Sequence, residues 1–377
     1  MIPNMWYPIC RPQDVPRKEP VGLRRLGEDI VLFRDASGQV VCMQDRCAHK
    51  GAKLSARLPG ITRLSRNTPK PGRIACPYHG FEYDSNGECV AIPALGENAR
   101  IPKGMCLKTF KVAQKYDLIW FWYGDARPEA ELPEIPMFEQ FRTSDSSNPS
   151  AYIPHDGPAP IHYSRWMESV SEFYHAPFLH WGTWIHYIQQ YGIRGKFVHD
   201  DCRVEVHGNH IKSAIIQRHE HDRYPQGPEG YLPWKSAWGP WKVEFLMPTL
   251  VLLDVPPFTS LIIPIPVDDD HTIALYSGTF RPSFLDKLPK FMADKVAYFW
   301  GWIGLMYNVY YEQLRDVAIM KTQLPKISEV GVNRMIAPDA LGSHWLSLRK
   351  KLKDAAVASS LTRKNGATAR ESKASSV

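Results

Sequence analysis

The chain has 377 residues, with 46 Lys and Arg against 39 Asp and Glu and a formal net charge of +7. At roughly 150 residues per domain, this length calls for two domains with enough core to fold without staples. The charge is concentrated: residues 50–75 hold Lys50, Lys53, Arg57, Arg63, Arg66, Lys70 and Arg73 and no acid, residues 349–377 carry +6, and the remainder is −6. A mildly acidic body argues against a nucleic-acid-binding protein. The opening residues MIPNMWYPIC lack the charged and apolar regions of a signal peptide. The most apolar run, residues 296–311, falls short of the ~20 residues of a bilayer span. Seven cysteines, an odd number without framework spacing, fit a reducing compartment. The expectation is a cytoplasmic protein with no integral membrane segment.

The first 125 residues read as short strands between turns. Residues 29–34 and 39–44 flank Asp35-Ala-Ser-Gly38, and residues 80–84 and 88–92 flank Ser85-Asn86-Gly87. Both are hairpin patterns, the second with the Asn-Gly pair that tight turns favour. Leu118-Ile-Trp-Phe-Trp-Tyr123 reads as a buried strand. Residues 126–140 lie in a Pro- and acid-rich stretch and read as an interdomain linker. Beyond it, residues 161–181 carry a helical pattern interrupted by Pro177, strands return over 196–280, and 284–323 is one long helical pattern stopped by Pro325. Residues 351–377 hold few apolar side chains and read as a disordered basic tail.

Two Cys/His pairs carry chemistry: Cys47-Ala-His49 and Cys76-Pro-Tyr-His79. Two thiolates and two imidazoles are the donors of a Rieske [2Fe–2S] centre, with cysteines on one iron and histidines on the other. A tetrahedral Cys₂His₂ zinc site uses the same donors. Zinc fingers, however, pair Cys with Cys and His with His locally. The alternative of two unrelated buried Cys and two surface His leaves both pairs falling on hairpin loops by chance.

At RCAHKGAKLS and CPYHGFEYDSNGEC the chain resembles the Rieske non-haem iron oxygenases, in particular their catalytic α subunit. Rieske proteins of respiratory complexes carry an extra Cys in each loop; here those positions resemble Ala52 and Tyr78. The all-basic segment between the pairs departs from the family pattern and resembles an insertion.

A second site lies at Glu172-Phe-Tyr-His175-Ala-Pro-Phe-Leu-His180. Histidines five apart diverge by about 140° on an ideal helix, so their convergence needs a break, which Pro177 is expected to supply. As core residues, two histidines in an aromatic-rich stretch would be unremarked. The open-faced triad of non-haem Fe(II) oxygenases needs one carboxylate more. Resemblance places it at Asp316, with Glu312 one turn earlier as the fallback. Glu172 stands where most relatives have Asp, and Ser169 where many have Asn. At i, i+3 to His175, Glu172 can hold that ring from behind.

The resemblance implies an α+β protein: a Rieske [2Fe-2S] β-domain over 1–125, the linker, and a START-like helix-grip catalytic domain over 141–350. It implies a [2Fe-2S] Rieske cluster at Cys47, His49, Cys76 and His79, and mononuclear Fe(II) at His175, His180 and Asp316. It further implies electrons from a ferredoxin or flavin reductase, O2 and a small organic substrate, and oxidation of a C–H bond by hydroxylation or demethylation. A head-to-tail homotrimer would bring His49 or His79 to Glu172 of the next chain. Two other classes stay open: a Rieske electron carrier or redox sensor, and an apolar-ligand binder whose His175 and His180 are core. Trp166, Trp181, Trp184, Trp234, Trp238, Trp241 and Tyr187 suit an apolar, aromatic or cationic guest and equally suit a core.

Overall fold

The computed structural model describes residues 1–377 apart from 58–71, 98, 143–148, 184–196, 220–240, 256–257, 281–284, 286 and 375–377. The readings of Arg63, Arg66, Lys70, Trp184, Tyr187, Trp234 and Trp238 lie outside the described residues, as does that of the Trp241 side chain.

The first third is built from β1 (Met5–Cys10), β2 (Val21–Arg25), β3 (Glu28–Arg34), β4 (Val40–Gln44), β5 (Ile74–Ala75), β6 (Glu82–Tyr83), β7 (Cys89–Ala91), β8 (Thr109–Phe110), β9 (Val112–Lys115) and β10 (Leu118–Tyr123). They form three antiparallel sheets in the orders β1-β10-β9, β2-β3-β4-β8 and β5-β6-β7. Both expected hairpins are present and use one device. Asp35 Oδ1 accepts the amides of Ser37 and Gln39, and Asp84 Oδ1 those of Asn86 and Glu88. Gly87 closes the second turn at φ +84°, where a Cβ would meet the Leu107 carbonyl oxygen at 2.5 Å. That position admits only glycine.

A fourth sheet follows: β11 (Ser150–Ile153), β12 (Phe197–His207), β13 (His210–His219), β14 (Trp241–Leu246), β15 (Leu250–Val255), β16 (Phe258–Pro266) and β17 (Thr272–Phe280). Its order is β11-β17-β16-β15-β14-β13-β12. Alternation decides what each face meets. Leu250, Leu252, Leu261, Ile263, Ile265 and Leu275 pack on Trp6, Leu118, Trp120 and Trp122 of the first sheet. Val251, Ile262, Ala274 and Tyr276 face the helices. β10 is likewise covered on both sides, since Ile119 and Phe121 pack on Ile30, Leu32 and Cys42. This is why its sequence is continuously apolar rather than alternating.

The stretch read as a free linker is part of this shared core: Ile135, Met137 and Phe138 are buried in it. The Trp6 indole N–H donates to the Pro133 carbonyl at 2.9 Å. Apolar side chains spaced between prolines anchor what composition alone marks as a connector.

The helices are α1 (Tyr163–Ser169), α2 (Ala176–Leu179), α3 (Lys290–Tyr307), α4 (Gln313–Met320) and α5 (Ala340–Ala374), with a π-helical turn, Asn308–Glu312, joining α3 to α4. Two expectations are corrected. Pro177 does not interrupt a helix. It sits in the first turn of α2, where its missing N–H has no partner to lose, and the break falls earlier, at 170–175. The basic tail is helical through Ala374. Its Ala, Lys and Arg content favours helix even where no apolar face exists to pack. The beginning of α5 is anchored, with Leu341, Trp345 and Leu346 in the core and Arg349 donating to the Tyr163 hydroxyl at 2.9 Å. No helix among the described residues is long and apolar enough to cross a membrane.

His162 caps α1 by accepting the Ser164 amide at Nδ1, 3.1 Å away. Burial, and after it the nearby cations beginning with Arg349, push this imidazole down to about 3. The unfolded chain takes up the proton near the ordinary 6.5, so this group weakens the fold as pH falls from 6.5 towards 3, by at most ~1.4 kcal/mol per pH unit. His162→Asn keeps a cap and removes the titration. Its Tm plotted against pH should fall less steeply than the wild type's across that interval.

Candidate metal centres

The loops after β4 and β5 share one internal pattern. Cys47 donates its amide to the Ala52 carbonyl at 2.9 Å and Gly51 donates back to Cys47 at 3.0 Å; Cys76 donates to Phe81 at 2.8 Å and Gly80 back to Cys76 at 2.9 Å. Gly51 and Gly80 turn at φ +72° and +73°, a region that side chains disfavour. Each loop thereby buries its cysteine and carries its histidine nearer the surface. The rings of His49 and His79 lie 4.7 Å apart. Burial first, and then the neighbouring Cys47, push the Cys76 thiol up. Two buried thiols and two clustered imidazoles are the donor set that a [2Fe–2S] cluster requires, and His49 Nδ1 is buried without a hydrogen-bond partner among the described residues.

One contact here escaped sequence reasoning. The Tyr83 hydroxyl lies 3.1 Å from Cys47 Sγ and accepts the Ala48 amide at 3.2 Å. Against a Cys47 thiolate, the form that binds a metal, the hydroxyl is the donor. Burial, followed by Cys47, raises the Tyr83 hydroxyl well above its ordinary value, so it stays protonated and donating.

The second cluster forms where α2 meets α4. His175 precedes α2 and His180 follows it. Each Nε2 lies 3.6 Å from Asp316 Oδ1, and one donor atom from each of the three lies within 4.8 Å of the others. A cation with bonds of ~2.0–2.2 Å spans such separations. Glu172 Oε1 lies 2.7 Å from His175 Nδ1, and its Oε2 accepts the His175 amide at 3.1 Å. Glu312 Oε2 lies 2.7 Å from His180 Nδ1. His175 therefore gives Nδ1–H to Glu172, while Glu312 meets His180 Nδ1 as an ion-pair contact that is not aligned as a hydrogen bond, and each Nε2 faces Asp316. Glu312, the fallback metal ligand of the sequence reading, is committed to His180 instead. Its spacing of four from Asp316 already put both on one helix face, which was the available signal.

Electrostatics say the triad is built for a cation. Burial pushes the Asp316 carboxyl up; the histidines oppose it, and Glu312 and Glu172 reinforce it. Asp316 Oδ1 has no hydrogen-bond partner among the described residues. Burial raises the Glu312 carboxyl, but the contacts with His180, Tyr307 and Thr183 together outweigh it and hold the carboxyl below the usual range. A buried carboxylate facing two bare imidazole nitrogens is costly unless positive charge sits between them. Two nitrogens and one oxygen on one face are the donors of a non-haem Fe(II) site with open positions. A cavity of about 230 Å³ adjoins the triad, walled by Val251, Leu253, Phe258 and Ile262 and by Gly304 and Leu305 of α3. Of the aromatics considered from sequence, Trp166 is fully buried in the core and Trp181 is 68% exposed, so neither lines it.

The Rieske [2Fe-2S] domain profile matches residues 5–111. NdmA of Pseudomonas putida CBB5, solved with caffeine, superposes with a TM-score of 0.63 at 20% identity, covering 93% of this chain and 91% of that one. The chain therefore carries a Rieske [2Fe-2S] domain and shares the overall fold of NdmA. Dicamba monooxygenase bound to dicamba gives a TM-score of 0.64 at 18% identity over 95% of this chain and 99% of that one. In sequence, Protein TIC 55 of Pisum sativum is 34% identical over 46% of this chain and 29% of its own length. Methylxanthine N3-demethylase NdmB of Pseudomonas putida is 31% identical over 48% of each. The chain thus spans less than half the length of these curated relatives.

Removing the carboxylate behind His180 tests the cation site. Glu312→Ala should weaken iron binding at the triad by about 10–100-fold, measured by anaerobic Fe(II) titration, with the visible absorption of the [2Fe–2S] cluster unchanged.

Proposed function

We propose that this chain is a Rieske-type oxygenase that oxidises a C–H bond of a small organic molecule, by hydroxylation or oxidative demethylation. The observation that carries the reading is the convergence of His175, His180 and Asp316, the first ring hydrogen-bonded to Glu172 and the second facing Glu312, beside a largely apolar cavity. Cys47, His49, Cys76 and His79 hold the [2Fe–2S] cluster, and His175, His180 and Asp316 hold the mononuclear iron. When bound, the two groups supply electron relay and O2 activation. The chain's own residues do the rest. Glu172 fixes the His175 tautomer, Glu312 places negative charge behind His180, the apolar cavity walls limit water, and Tyr83 lies against Cys47 Sγ. Cavities for drug-sized ligands run to ~300–1,000 Å³, so 230 Å³ suits a guest of one or two rings. The purine of a methylxanthine is of that size.

In this reading residues 1–125 are the electron-receiving domain, 126–140 the anchored connector and 141–350 the catalytic domain. The seven-stranded sheet wrapped on α3 and α4 corresponds to a START-like helix-grip. A ferredoxin or flavin reductase supplies electrons at the exposed His49–His79 edge, where Arg46, Lys50, Lys53 and Arg57 are exposed. Those charges favour an acidic donor. A head-to-tail homotrimer would set this edge beside Glu172 of the next subunit. Seven free cysteines fit the cytoplasm.

Iron content separates this proposal from an electron carrier whose second half only binds a ligand. About three irons per chain support the oxygenase and about two the carrier. His175→Ala should keep the cluster's spectrum and lose substrate-coupled O2 uptake. Turnover surviving in that variant would remove the iron assignment.

A further inference from the structure

α3 carries its side chains in inverted order. The face it turns to the protein is built from small residues: Ala293 and Gly301 are buried, Gly304 lines the cavity, and the helix lies along β17. The large apolar side chains are the exposed ones. At about 100° per residue, Phe291, Tyr298 and Trp302 form one row and Met292, Phe299 and Ile303 a second row beside it. Phe291 is 66% exposed, Phe299 56% and Trp302 46%. A surface helix ordinarily shows the reverse, with its bulky apolar residues on the core and polar ones in water. Contiguous apolar surface of this kind marks a contact face.

The ridge continues through the π turn, where Tyr310 and Tyr311 are exposed. From Val296 to Leu314 the only charged residue is Glu312, and it is buried. Positive charge collects at the two ends. Lys287, Lys290 and Lys295 are exposed at the start, and Lys321 and Lys326 beyond α4. The single acid of α3, Asp294, lies 2.8 Å from Lys290. Between these ends the exposed side chains offer only tyrosine hydroxyls and indole N–H groups as polar atoms. A protein partner would ask for about one hydrogen bond per 100–200 Å² and a polar rim. Tyrosine and tryptophan between cationic ends fit a bilayer surface better, since their rings settle at headgroup level and lysines meet lipid phosphate.

We propose that α3 and the π turn form a ridge that seats the protein on an anionic lipid bilayer, lying in the interface rather than crossing it. Tyr298, Phe299 and Trp302 enter the boundary between headgroups and acyl chains, and the lysines at both ends hold the ridge to the lipid charge. The opposite side of the same helix walls the cavity through Gly301, Gly304 and Leu305, so the bilayer lies one helix away from the substrate space. The attachment does not rest on the oxygenase reading.

The test is co-sedimentation of the full, metal-loaded chain with vesicles of phosphatidylcholine alone and of phosphatidylcholine mixed with phosphatidylglycerol. Wild type should pellet with the mixed vesicles, less so as salt is raised, and more weakly with the neutral ones. Tyr298→Ser, Phe299→Ser and Trp302→Ser combined in one chain should lower the partition coefficient by about a hundredfold or more. Lys287→Gln with Lys295→Gln should weaken binding to the mixed vesicles alone. Every substituted side chain is exposed, so both variants should keep the cluster's absorption, the iron content and the oligomeric state of wild type by light scattering. Wild type left in the supernatant with both vesicles, or a triple variant that pellets as well as wild type, would overturn the proposal. A triple variant that falls to a lower oligomeric state would overturn it too, and assign the ridge to a second copy of the chain. Iron analysis keeps the two readings apart: pelleting with about two irons per chain removes only the oxygenase, and about three irons without pelleting removes only the ridge.

Discussion

Both faces of β15, β16 and β17 in the seven-stranded sheet are buried, and much of the architecture follows from that. In β15, β16 and β17, alternate side chains belong to two different cores. One set, Leu250, Leu252, Leu261, Ile263, Ile265 and Leu275, is covered by the first sheet's tryptophans. The other set, with Val251, Ile262 and Tyr276, is covered by α1, α3, α4 and α5 and bounds the cavity. A one-residue slip in register would exchange the sets and expose each to the wrong partner. The sheet thus acts as the wall between the cluster-bearing half and the cavity, and it holds the two at fixed positions.

On the cavity side the design is electrostatic. Four carboxylates and imidazoles flanking α2 and from the π turn through α4, joined by Glu172, form a cluster in which Glu172 is hydrogen-bonded to His175 and Glu312 stands 2.7 Å behind His180. Short, partly buried hydrogen bonds of this kind orient a ring more tightly than packing alone. The network leaves three unshared donor atoms converging on one point, and a cation there completes it. The cluster loops use a backbone route to the same end: paired amide bonds and two left-handed glycines set the four donors, with Tyr83 as the one side chain tuning a sulfur.

Much of this was legible from local pattern. The Cys-x-His and Cys-x-x-His pairs, the two hairpins and the run Leu118–Tyr123 depend on residues close in sequence, so spacing and turn chemistry were enough. His175 and His180 could be paired from the sequence, but the reason they converge was misread. Pro177 opens a four-residue helix instead of breaking a longer one. The stretch around Ile135, Met137 and Phe138 was misread because composition reports prolines and acids, while burial depends on what lies across from each side chain. The tail was misread because an absence of apolar residues rules out packing but not helix.

The concentrated +7 marked from sequence a basic segment beside the cluster loops, and Lys50, Lys53 and Arg57 are indeed exposed there. By itself the sequence determined the donor types, their local spacing and the strand-rich start, because those are properties of neighbouring residues. Only the tertiary structure decided that Glu312 stands behind His180 and that Tyr83 reaches Cys47. Each of these joins an element to another far along the chain, and such distances are set by packing, which no local pattern encodes.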